Sequence, residues 1–221
     1  MHETVKVLFL SANPQKRMAL RTDRELGGIL RAVRAAPGGL LQIMPEMAVG
    51  LDDLQSAILH HGPQIIHFAG HGDGSAGLLL DDGEAVSADA LVELMEIFSG
   101  SVRAVVLNAC HTDLIAEALS RVVDYAVGMG EPIGDKAAIA FAGAFYRALA
   151  FGRSIPVAFR LGRSQVAIHR HPRDGVPSLR VRPGNRPGPL VPRASGEDTQ
   201  TPSHPGTAAP SPRRGQRIRI G

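Results

Sequence analysis

The chain has 221 residues with a formal net charge of +3, one cysteine and no tryptophan. A single cysteine excludes an internal disulfide and offers no thiolate cluster for zinc or iron–sulfur chemistry. No stretch approaches the ~18 consecutive apolar residues that a membrane span needs, and the run 5–10 is too short for a signal peptide. These totals point to a protein of a reducing cytosol, where the one thiol stays reduced.

The charge is unevenly spread. Residues 1–184 hold 18 Lys and Arg against 19 acids, and residues 185–221 hold 6 Arg against 2 acids. The second segment also carries seven of the sixteen prolines. Such a composition buries too little to repay ordering, so the expected division is a folded domain over 1–184 and a disordered basic tail over 185–221. The tail has no aromatic residue to stack on bases, which argues against a nucleic-acid partner.

Along the chain, Val5-Lys6-Val7-Leu8-Phe9-Leu10 reads as a buried first strand closed by Ser11-Ala12-Asn13-Pro14. Leu26, Ile29, Leu30 and Val33 recur at helical spacing before Pro37-Gly38-Gly39. Residues 40–44 predict a second strand, 51–59 a helix, and 64–69 a third strand. Leu78-Leu79-Leu80 and Glu84-Ala85-Val86 flank Asp81-Asp82-Gly83 as a hairpin, and Ser87 caps the next helix. Residues 102–107 predict a fourth strand, 112–122 a helix and 125–128 a strand. A strongly apolar helix runs from Ala137 to Leu149 and stops at Gly152, a further helix covers 154–168, and 178–181 forms a short edge strand. Alternation of strand and helix predicts an α/β three-layer sandwich, its mostly parallel sheet covered by helices on both faces. The turn after the first strand lacks the Gly-rich pattern of a dinucleotide-binding fold.

Two apolar runs end in residues with chemistry. His67-Phe68-Ala69-Gly70-His71-Gly72 delivers a histidine between glycines, and Leu107-Asn108-Ala109-Cys110-His111 delivers the only cysteine. If the runs are neighbouring parallel strands, His71 and Cys110 emerge at one sheet edge, where open α/β sheets place their sites. A thiol near an imidazole is sufficient for covalent acyl transfer. With Leu107 as the last in-sheet residue, Cys110 would sit beside the N-terminus of the following helix, whose dipole favours thiolate. His67 lies inside its strand and reads as a core histidine. His111, adjacent to Cys110, points away from it and is a poor base, though it can line a pocket. Asp81, Asp82 and Glu84 read first as a solvated turn and second as an attraction for a basic substrate. A lone strand-end cysteine is otherwise a small buried hydrophobe.

These blocks, with Gly128-Met129, Ile133-Gly134-Asp135 and the helix bearing Phe141, Phe145 and Tyr146, resemble the CHAT family of caspase-like cysteine peptidases over residues 5–182. The resemblance implies a caspase/hemoglobinase fold, a His71–Cys110 dyad, no cofactor, and an oxyanion hole of the Gly72 and Cys110 N–H groups. It implies that Asp135 holds a basic P1 side chain; Asn108 and His111, from their places beside Cys110, are further candidate substrate-binding residues. Asp135 reads equally well as a helix N-cap. Asn108 stands where the metacaspase branch has Asp. The expected partners are a peptide substrate and a separately encoded sensor, and the role is that of a regulated bacterial effector. A catalytically inactive scaffold of the same fold is the competing reading. Arg213-Arg214 in the tail would be a self-cleavage point if basic P1 residues are selected.

Overall fold

A computed structural model describes residues 4–14, 20–72, 77–131, 134–168 and 177–185. Its main sheet has the order β2-β1-β3-β7-β8-β9. These strands are β1 (Val5–Ser11), β2 (Leu41–Met47), β3 (Ile65–Ala69), β7 (Ala104–Asn108), β8 (Tyr125–Met129) and β9 (Pro177–Val181). All adjacent pairs are parallel except β8–β9, so the sheet is mixed and β9 closes one edge antiparallel. At the other edge β2 runs three residues past the predicted end, through Pro45. An edge strand tolerates a missing N–H on its open side.

Every inner strand alternates between two cores, as a sheet covered on both faces requires. Leu8, Leu10, Ile66, Phe68, Val105 and Leu107 pack on one side with α2 (Leu51–His61), α3 (Ala88–Ile97) and α4 (Asp113–Leu119). Val7, Phe9, Ile65, Ala104, Val106 and Val127 pack on the other with α1 (Thr22–Arg34), α5 (Asp135–Ala150) and α6 (Ile155–Ile168). This is the three-layer arrangement expected, a mostly parallel sheet covered by helices on both faces. α5 carries eleven buried residues, which explains its apolar composition. No helix among the described residues is long and apolar enough to cross a membrane.

Between β3 and α3 the chain makes a small antiparallel sheet of β4 (His71–Gly72), β5 (Gly77–Leu79) and β6 (Ala85–Ser87). Its turn residue Gly83 has φ 88, and the Ser87 hydroxyl accepts from the Ala90 N–H at 3.2 Å as the cap of α3. The acidic turn serves the backbone. Asp81 Oδ1 accepts from the Asn13 N–H at 2.9 Å, and Asp82 Oδ2 accepts from the Leu51 N–H at 2.8 Å at the start of α2. Asp82 Oδ1 accepts from the Glu84 N–H at 3.0 Å. These backbone donors, Leu51 first, hold the Asp82 carboxyl below its ordinary pKa. The basic tail, apart from Asn185, lies outside the described residues.

Candidate active site

The positions of His71 and Cys110 follow from register. β3 and β7 are adjacent and parallel, with Ala69 opposite Asn108 as the last pair. Each chain then runs two residues further, to His71 and to Cys110, at the carboxyl edge of the sheet. A narrow cleft at that edge is lined by Leu20, Arg21, Thr22, Glu25, Gly70, His71, Asn108, Ala109, Cys110, Asp135, Ala138 and Ile139. The segments after β1, β3, β7 and β8 all contribute. Cys110 is a free, half-buried cysteine, and its thiol makes no hydrogen bond among the described residues. The free interior of the cleft is about 30 Å³, room for roughly two waters.

Asn108 belongs to β7 and is buried, so the in-sheet run extends one residue beyond its predicted end. The thiol is also not at a helix terminus. α4 begins at Asp113, three residues on, and His111 between them takes the left-handed conformation at φ 59. His111 is exposed and does not line the cleft.

Thr112 holds this loop. It is fully buried, and its hydroxyl meets the carbonyl oxygens of Ala109 at 2.8 Å and Leu107 at 3.3 Å while accepting from the Met129 N–H at 3.1 Å. Its own N–H donates to the Met129 carbonyl at 2.8 Å. One side chain therefore ties the cysteine loop to the end of β8. The approach of the two loops also dictates Gly72, because a Cβ there would stand 2.0 Å from the Cys110 carbonyl oxygen. No side chain fits, which adds a steric reason to the open backbone expected from sequence.

Beneath the cleft lies a buried polar cluster that hydrophobic periodicity does not reveal. His67 is fully buried, stacked on Phe9 with ring centroids 5.1 Å apart. Its Nε2 meets Glu25 Oε1 at 2.8 Å and its Nδ1 meets the Tyr146 hydroxyl at 3.1 Å. With Nε2–H donating to Glu25, Nδ1 accepts from the Tyr146 O–H. Burial, and secondarily the nearby Glu25, push the Tyr146 hydroxyl well above its usual pKa, so it remains a neutral donor. Glu25 Oε1 also accepts from Asn108 Nδ2, which in addition faces the Ala138 carbonyl at 3.3 Å. Asn108 Oδ1 is buried and has no hydrogen-bond partner among the described residues. The cluster joins α1, β3, β7 and α5. The one clue to it in the sequence is Glu25 on the apolar side of α1, beside Ile29 and four residues before it.

Asp135 is the first residue of α5, and Gly134 occupies the cap position. Its half-buried carboxyl makes no hydrogen bond or ion pair among the described residues, so the N-cap alternative is not what the structure has. Among the described residues the cleft thus carries two carboxyl groups, Glu25 and Asp135, against one cation, Arg21, which lies 3.7 Å from Asp23. A thiol, an imidazole and a carboxyl, those of Cys110, His71 and Asp135, thus line one cleft.

A family model described as "CHAT domain" matches residues 5–205. A Roc-COR-CHAT protease from an unknown prokaryotic organism is 26% identical over 185 residues, covering 78% of this chain and 17% of that protein. The chain therefore spans about one-sixth of its relative's length. Among solved structures, the Arg-specific cysteine proteinase gingipain R aligns with TM-score 0.60 at 13% identity, over 80% of this chain and 46% of that one. Caspase-1 from Spodoptera frugiperda aligns with TM-score 0.56 at 10% identity, over 82% and 88% of the two chains. At such identities the structural likeness concerns the fold.

Proposed function

The chain belongs to the CHAT domain family, and on that premise we propose that it is a cysteine endopeptidase cleaving after Arg or Lys through Cys110 and His71. The observation that carries the reading is the shared cleft. The only cysteine and the β4 histidine His71 line it together with Asp135, a carboxyl that no described residue engages. The Cys110 thiolate attacks the scissile carbonyl carbon, and the Gly72 and Cys110 N–H groups receive the developing oxyanion. As the C–N bond breaks, His71 gives its proton to the leaving amine and a thioester to Cys110 remains. His71 then takes a proton from water, which attacks the thioester and releases the new carboxylate and the thiol. A basic P1 head group would pair with Asp135 by charge-assisted hydrogen bonds, with the free Asn108 Oδ1 as a further acceptor.

A Lys or Arg side chain needs more room than the 30 Å³ of the cleft, and Cys110 is not hydrogen-bonded to His71. On this reading the cleft widens as peptide binds, and a separately encoded sensor regulates the effector. The folded unit is residues 1–184, a reducing cytosol keeps the thiol active, and no cofactor takes part. The narrowness of the cleft is what favours the competing reading, an inactive scaffold of this fold.

Turnover of fluorogenic peptides with Arg, Lys, Asp or Ala at P1, with Cys110→Ala as the blank, tests both. Arg and Lys peptides should turn over and Asp and Ala peptides should not. A peptide electrophile bearing P1 Arg should label the native protein, and denaturation or Cys110→Ala should abolish labelling. Labelling that survives denaturant, with no turnover, would reduce Cys110 to an exposed thiol.

A further inference from the structure

A groove runs between α1 and α5 on the outer face of the molecule, and nothing in the chemistry above uses it. Two adjoining hollows form it. One has an open volume of about 630 Å³ and is lined by Arg24, Arg31 and Lys136 among others. The other, of about 300 Å³, is lined by Arg31, Arg147 and the small residues Gly28, Ala140 and Gly143. Arg31, Ile139 and Ala140 line both.

The groove has a charge and a shape. Arg24, Arg31, Lys136 and Arg147 are exposed, and none has a carboxylate partner among the described residues. The one acid among the described lining residues, Asp23, already lies 3.7 Å from Arg21. Four cations against one acid leave a strongly positive trough. Lys136 and Arg147 are eleven residues apart on α5, about 16 Å along its axis. The floor is low, and at Gly143 an added Cβ would meet nothing within 4 Å. Internal packing does not demand that glycine, which weakens a helix interior.

The groove also continues the cleft. Ile139 lines both, and Lys136 follows Asp135 in the chain. An extended polypeptide advances about 3.3 Å per residue, so some five residues cover the span from Asp135 to Arg147. No aromatic side chain lines the trough to stack on a base, and its small-residue floor suits a peptide backbone. We infer that the α1/α5 groove is an exosite for an acidic stretch of the polypeptide being cleaved, lying within about ten residues of the cleaved bond. The inference rests on the peptidase reading for the identity of its ligand, but its binding test does not.

The probe is a fluorescein-labelled peptide with one Arg followed by a hexaglutamate tract, compared with its hexaglutamine counterpart. Binding to full-length Cys110→Ala protein is followed by anisotropy, so cleavage plays no part. The glutamate peptide should bind about tenfold more tightly at low salt, and the advantage should disappear near 0.5 M salt. Arg31→Glu with Arg147→Glu should abolish the advantage, and Arg153→Glu, outside the groove, should preserve it. If the charge reversals impair folding, Arg31→Gln with Arg147→Gln should still reduce it about threefold. Equal binding of the two peptides overturns the exosite whether or not the enzyme cleaves. A thymidine dodecamer that binds as tightly and is lost in the same variants overturns the assignment to polypeptide. Retained glutamate-dependent binding with no turnover by the unmodified protein strikes at the peptidase reading instead.

Discussion

Replacing Glu25 by leucine removes the acceptor on which the buried cluster converges. His67 Nε2–H would then have no partner, and Asn108 Nδ2 would keep only the longer contact to the Ala138 carbonyl. Each buried donor left unpaired costs about 1–3 kcal/mol, so the two together cost roughly 2–5 kcal/mol. Burial of the leucine in place of a carboxyl returns about 1–2 kcal/mol, and the net loss centres on about 2 kcal/mol. For a chain of this size the melting temperature should fall by roughly 4–8 °C. Glu25→Gln keeps one acceptor oxygen and should lose less than half as much. Differential scanning fluorimetry on the three proteins gives the order. Combining Glu25→Leu with His67→Phe removes one stranded donor along with its acceptor, so the double variant should be more stable than the sum of singles by about 1 kcal/mol or more. Strict additivity, or a Glu25→Leu melting point within 2 °C of the parent, would refute the account of the cluster as a mutually satisfied unit.

Three further outcomes follow from individual contacts. Thr112→Val keeps the shape but strands the Met129 N–H and loosens the Ala109 and Leu107 carbonyls. It should destabilise by about 1–3 kcal/mol in urea unfolding, and should lower kcat more than it raises KM because it frees the Cys110 loop. Gly72→Ala forces a Cβ to within 2.0 Å of the Cys110 carbonyl unless the loops part. Peptide turnover should drop at least about a hundredfold, the scale of a lost oxyanion donor, and unchanged kcat/KM would mean the loops separate without consequence. The Asp82 carboxyl has its pKa lowered in the folded state from 3.8. Its contribution to stability is complete above that unfolded value and is lost as pH falls through the folded one. Asp82→Asn should therefore be less stable than the parent at neutral pH, with the gap closing below about pH 3.8, as measured by urea unfolding across pH.

Much of the architecture was legible because it depends on local pattern. Period-two alternation and short apolar runs located the strands, Gly152 with φ 72 stops α5 as its type suggests, and Ser87 caps α3. The strand boundaries shifted at Pro45 and Asn108, where position within the sheet outweighed residue preference. Asn108 is polar, yet it remains in β7 because Glu25 and Ala138 receive its amide from α1 and α5.

By itself the sequence determined which reactive side chains reach the sheet edge, since a lone cysteine and a glycine-flanked histidine each end an apolar run at equivalent depth. The tertiary structure decided what surrounds that chemistry. Glu25, His67, Asn108 and Tyr146 are separated by up to 121 positions in the chain and meet only because α1 and α5 cover the same face of the sheet. Hydrophobic periodicity reports which face of an element is buried. It does not report which buried polar atoms meet there, because that depends on how closely the tertiary fold sets two helices that are distant in the chain.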